Sequence, residues 1–212
     1  LFETVLLRPS AAPGEPGPPE VPVSLHELSE QAVLARYYLL DEHLARMAAS
    51  AEALGLPFEP DAAREVMVGL ARVHPEALVA RIQTDAGGAF SISTREAPSV
   101  PEGTVDLLVS PFRVDPDDPL LRHKTSMRGF YNREHRRAQA RGCFDALFLN
   151  RLDRVAEGAI TSVFVRTGDT WRTPPLGDGL LPGIWRAEFL RETGAQETSL
   201  SLEDLLSAEE MV

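Results

Sequence analysis

Between two runs of mixed helical and strand patterning lies a stretch that neither structure tolerates, residues 96–103 (EAPSVPEG). Each proline lacks a backbone donor and restricts the residue before it, so a regular element does not continue through the pair. Two lobes are therefore expected: residues 1–98 as a smaller N-terminal α+β lobe, and residues 99–212 as a larger C-terminal one. The first lobe opens with strand-like residues 1–7 (LFETVLL), then a proline- and glycine-rich exposed loop from Ser10 to Pro22. Residues 24–27 (SLHE) form a candidate capping box, and 37–40 (YYLL) have strand character. Leu44, Met47, Ala48, Ala51 and Leu54 recur at helical spacing before Gly55, and a second helix is expected from Asp61 to about Val73. A hairpin then joins residues 77–84 to 89–94 through 85–88 (DAGG).

In the second lobe a strand is expected over 105–114, a charged helix over 126–141 and a buried strand over 144–149. Residues 163–166 and 170–173 read as a hairpin turning at Gly168-Asp169. A helix should start after Pro182 and stop at Gly194, and a short one should follow Ser201. The start on Leu1, already inside a strand, and the end at Met211-Val212, where another could begin, read as trimming at both termini.

The 212 residues suffice for a sizeable core, and 43% hydrophobic with 25% charged residues describes a folded protein. A net charge of −11 sets the chain against nucleic acid, whose phosphates need a basic face. It leaves room for a small anionic substrate held by local arginines. One cysteine, Cys143, rules out an internal disulfide and a multi-cysteine zinc site, so no metal is expected and a reducing, cytoplasmic setting fits. No segment approaches the ~20 apolar residues of a membrane helix, and no membrane partner is expected.

Among 21 basic residues the chain has a single lysine, Lys124. Arginine replaces lysine where only charge matters, but it cannot lose a proton and form a Schiff base. Chance survival on the surface is the competing explanation for the count.

Four segments give the lysine company: 39–46 (LLDEHLAR), 121–125 (LRHKT), 155–164 (VAEGAITSVF) and 179–186 (GLLPGIWR). In this order they resemble the fold-type IV pyridoxal-phosphate enzymes, which include branched-chain and D-amino-acid aminotransferases and aminodeoxychorismate lyase. The resemblance implies a two-lobed D-amino-acid aminotransferase-like fold, with an N-terminal α/β sandwich lobe and a barrel-like C-terminal lobe. It implies pyridoxal 5'-phosphate as cofactor, Lys124 as the Schiff-base residue and mover of the alpha proton, and Glu157 beside the pyridine nitrogen. Arg46 and the backbone N–H groups of Gly183, Ile184 and Trp185 would hold the phosphate. Trp185 stands where many relatives carry threonine, and Ser162 where asparagine is commoner. Thr161 either hydrogen-bonds near the cofactor or faces the core.

Residues 117–125 (DDPLLRHKT), 130–132 (FYN) and 180–186 (LLPGIWR) look most like aminodeoxychorismate lyase, alone or fused to aminodeoxychorismate synthase. That implies elimination of pyruvate from 4-amino-4-deoxychorismate to give 4-aminobenzoate for folate synthesis. An aminotransferase for branched-chain or D-amino acids, or a cofactor-free fusion module, are the alternatives. Arg128 would hold a substrate carboxylate or else lie on a helix surface; Phe2 and Tyr131 would line the pocket or pack the core. His123 is set aside as an acid or base because neighbours on a strand point to opposite faces. The family also implies a homodimer.

Overall fold

The computed structural model describes residues 1–9, 29–99 and 101–212. The expected loop over 10–22 and the capping box at 24–27 lie outside them. The fold is α+β, and the chain divides into two compact units, Leu1–Ser99 and Val100–Val212.

In the first unit, β1 (Phe2–Leu7), β2 (Leu78–Thr84) and β3 (Phe90–Glu96) form an antiparallel sheet in the order β1-β2-β3. Three helices accompany it: α1 (Glu30–Leu34), α2 (Leu40–Ala53) and α3 (Pro60–Val73). On α2 the buried Leu40, Leu44, Met47 and Ala51 recur every three or four residues, and the stripe joins Val5, Leu7, Ala80 and Ile82 of the sheet. The strand expected over 37–40 does not form. Tyr37 makes only an isolated bridge to Leu7, and Leu39 adopts a left-handed backbone (φ 53°) that turns the chain into α2. Buried Arg36 closes the end of α3. Its guanidinium donates to the Ala71 carbonyl, to the His74 carbonyl at 2.6 Å and to the Arg8 carbonyl at 3.1 Å.

The second unit opens with β4 (Leu107–Val114), which a crossover through α4 (Gly129–Gln139) connects to the parallel β5 (Asp145–Asn150). Every residue of β5 is buried, as expected for a strand covered on both faces. β6 (Val155–Gly158) pairs antiparallel with it, completing a sheet in the order β4-β5-β6. A second sheet contains the hairpin β7 (Val165–Thr167) and β8 (Thr170–Thr173), flanked by β9 (Gln196–Glu197) and β10 (Glu210–Met211). The sheets share a cluster of Leu147, Leu149, Val155, Val163, Val165 and Leu200. Helix α5 (Ile184–Thr193) stops at Gly194 with φ 65°, a conformation open to glycine without steric cost. Helix α6 (Leu202–Ser207) starts with a capping box between Ser201 and Asp204. Among the described residues no helix is long and apolar enough to cross a membrane.

Candidate active site

Three segments of the second unit converge on Glu157. The first is the loop that carries Lys124. Pro119–Arg122 form a short 3-10 turn, whose start is capped by the Asp118 carboxylate accepting the Leu120 N–H at 2.9 Å. Lys124 follows, half-buried, in irregular backbone. The segment is thus no strand, and the alternation used to set His123 aside does not apply to it; proline and the acidic cap favour a turn instead.

Glu157 occupies the third position of β6. One carboxylate oxygen, Oε1, accepts the Tyr131 hydroxyl at 3.1 Å, and Oε2 accepts the Leu181 N–H at 3.1 Å. Tyr131 comes from α4 and Leu181 from the segment entering α5. Burial pushes the Glu157 carboxyl up to about 7, against the pull of those two hydrogen bonds and the positive charges of Arg128 and Lys124. Lys124 and Glu157 therefore share one electrostatic neighbourhood. The Tyr131 phenol is held well above its usual range, by burial first and then by the Glu157 charge, so its hydroxyl remains a donor.

Arg128 occupies the position just before α4, where its side chain donates to the Ala159 carbonyl and its guanidinium lies 5.1 Å from the Tyr131 ring centre. Thr161 donates its hydroxyl to Asp145 Oδ2 at 2.9 Å, and the same oxygen accepts the Ile160 N–H at 3.0 Å. Asp145 Oδ1 accepts the Ala146 N–H at 2.8 Å and lies 2.9 Å from His135 Nδ1. Thr161 thus faces inward to a buried carboxylate, which ties down the turn after Glu157. Gly158 is required there: a Cβ would meet the Thr161 hydroxyl and would stand 2.5 Å from Asp145 Oδ2.

The first turn of α5 begins at Gly183 with no side chain capping it. A Cβ on Gly183 would stand 2.9 Å from Ser162 Oγ, so glycine lets the two segments approach. The side chain of Trp185 leans on Phe164 and Phe189, with ring centres 5.7 and 5.0 Å away, and only its backbone N–H belongs to the helix start. An uncapped helix N-terminus, a deeply set carboxylate and the one lysine make a donor set that fits pyridoxal phosphate: phosphate at the amides, ring nitrogen at the carboxylate. Among the described residues, no cluster of His, Cys, Asp or Glu could hold a metal ion.

Arg46 and Phe2 lie in the first unit. Arg46, on α2, grips buried Glu3 of β1 with two bonds, Nε to Oε1 at 2.8 Å and Nη2 to Oε2 at 2.6 Å, while His43 Nδ1 lies 2.8 Å from Oε2. These partners hold the Glu3 carboxyl below its ordinary range despite burial. Phe2 is buried with the Arg81 guanidinium 3.6 Å above its ring. Sequence reasoning missed Glu3, Asp145 and the Leu181 amide. The first two carried a signal, since each is an acid within the first two residues of a largely apolar strand.

Comparison with known families decides what this arrangement is. The Amino-transferase class IV family matches residues 31–212. The chain belongs to the class IV aminotransferase family. Members of the family use pyridoxal phosphate. The chain shares its fold with solved structures that include the following three. A proposed amino-acid aminotransferase from Mesorhizobium loti is 29% identical, with a TM-score of 0.81 over 100% of this chain and 91% of its own. A proposed 4-amino-4-deoxychorismate lyase is 25% identical, with a TM-score of 0.73 over 96% of this chain and 76% of its own. An aminotransferase from Brucella abortus, bound to pyridoxal phosphate, is 24% identical, with a TM-score of 0.72 over 100% of this chain and 75% of its own. No curated protein matches the sequence.

Proposed function

We propose that this class IV protein is a cytoplasmic lyase that converts 4-amino-4-deoxychorismate to 4-aminobenzoate and pyruvate. The observation that carries a pyridoxal-phosphate site is the placement of the chain's one lysine within electrostatic reach of Glu157, itself held by Tyr131 and the Leu181 amide. When bound, the cofactor supplies a carbonyl for imine formation and a ring that accepts electron density from the substrate's alpha carbon. Lys124 would anchor it covalently, and, once the substrate's own amine has taken its place and released it, the free Lys124 amine would take the proton from that carbon. Glu157 faces the ring nitrogen and favours its protonated form. The N–H groups of Gly183, Ile184 and Trp185 hold the phosphate. Thr161 acts only through the turn that it fixes. Arg128 faces the substrate, a small anion, and the enzyme works as a homodimer supplied by a fused or separate synthase.

The preference for a lyase rests on the resemblance at residues 117–125 and 180–186, supported by the likeness to a proposed lyase of the same fold. The higher identity to a proposed amino-acid aminotransferase favours the second reading, transamination. Borohydride reduction followed by peptide mass spectrometry tests the anchor: a pyridoxyl adduct on Lys124 is expected. Pyruvate release from aminodeoxychorismate without an added keto acid then separates the reactions. A lyase turns over continuously, whereas a transaminase stops after one equivalent per site.

A further inference from the structure

We infer that Tyr131 is a positioning residue: its hydroxyl, opposite the Leu181 amide, holds the Glu157 carboxylate in the orientation that meets the cofactor's ring nitrogen. This rests on the role proposed for Glu157. The two donors reach different oxygens from different elements, one from α4 and one from the approach to α5. The carboxylate plane is thereby fixed, whereas one donor alone would leave it free to rotate. The phenol itself has little freedom. Tyr131 is buried, with ring centres of Phe130 and Phe148 at 4.2 and 4.6 Å. The charged groups around the pair are Arg128 and Lys124, which favour the ionised carboxylate, and Asp118, which acts on the phenol in the same sense as Glu157. The hydroxyl therefore stays protonated and donates.

Removing the hydroxyl while keeping the ring isolates the hydrogen bond from the packing. In full-length apoprotein, difference infrared spectroscopy with Glu157→Gln as the assignment reference follows the Glu157 carboxyl with pH. Tyr131→Phe should raise its midpoint by about one unit, the worth of one hydrogen bond to a charged group. Replacing Tyr131 by 3-fluorotyrosine, a stronger donor, should lower it. In the holoenzyme, Tyr131→Phe should lower kcat about tenfold, within the range by which positioned groups act. KM should stay within about twofold, and the acidic limb of the rate profile should move up with the infrared midpoint. Midpoints that do not respond to either replacement overturn the hydrogen bond's role. A shifted midpoint with an unmoved acidic limb overturns the positioning of a working carboxylate. An absent Lys124 adduct instead removes the cofactor reading, and the infrared result still decides whether Tyr131 governs Glu157.

Discussion

The Thr161 hydroxyl donates to Oδ2 of Asp145 at 2.9 Å, and that oxygen also accepts the Ile160 N–H. Asp145 is fully buried at the start of β5, and with the Ile160 N–H still in place the Thr161 hydroxyl supplies one hydrogen bond, worth roughly 0.5–1.5 kcal/mol. Thr161→Val, which keeps the shape and removes the donor, should lower urea stability by that amount. Thr161→Ser should retain most of it. Equal losses in the two variants would show that the methyl group, and not the hydroxyl, holds the turn.

Gly158→Ala should be more disruptive than its size suggests. The added methyl enters space held by the Thr161 hydroxyl and Asp145, on a residue next to Glu157. Overpacking of this kind costs about 1–3 kcal/mol. The expected result is a lower denaturation midpoint together with weaker pyridoxal phosphate binding by fluorescence titration. Unchanged affinity would separate the turn from the cofactor.

Several of these features can be read in the sequence and others cannot, for physical reasons. Gly194 and Ser201 marked the end of α5 and the start of α6 because caps are local, and Leu44, Met47 and Ala51 marked α2 because periodicity is local too. Lys124 and Glu157 stood out by rarity and by motif. The backbone around Lys124 did not, since a 3-10 turn has no periodicity to detect and Asp118 caps it through a side chain. Nor did the four residues of β6, too few to show alternation. Tyr131 gave no sign of its partner: an aromatic residue on a helix looks the same whether it packs or donates, and only the fold brings α4 to within 3.1 Å of Glu157.

Arg36 should be worth more to stability than its position outside a regular element implies. It supplies three carbonyls, two of them at the end of α3, where helix carbonyls lack internal partners. Arg36→Leu preserves apolar bulk and leaves the buried Ala71 carbonyl, and the partly exposed Arg8 and His74 carbonyls, without that donor. A loss of about 1–3 kcal/mol is expected in denaturant unfolding, most of it from the Ala71 carbonyl. A loss below ~0.5 kcal/mol would show that water replaces the guanidinium at no cost.

Glu157 makes stability depend on pH in a definite direction. Burial pushes its carboxyl up to about 7 in the folded chain, against about 4.5 for an ordinary glutamate. Between those two pH values the unfolded chain has already lost the proton that the native protein keeps. Stability therefore falls as pH rises through this window, by ~3 kcal/mol if the shift is fully realised. Below pH 4.5 both states are protonated and the effect vanishes; above pH 7 the full penalty applies. Glu157→Gln carries no titrating proton, so apoprotein melting curves should show the variant gaining on the parent from pH 4.5 to 7 and holding a constant lead above it. Bound cofactor should reduce that lead, because a protonated ring nitrogen gives the carboxylate the counter-charge that burial denies it. A lead that is flat across the whole range would mean that Glu157 is ionised in the folded apoprotein throughout. The two donors and the nearby Lys124 and Arg128 would then outweigh burial.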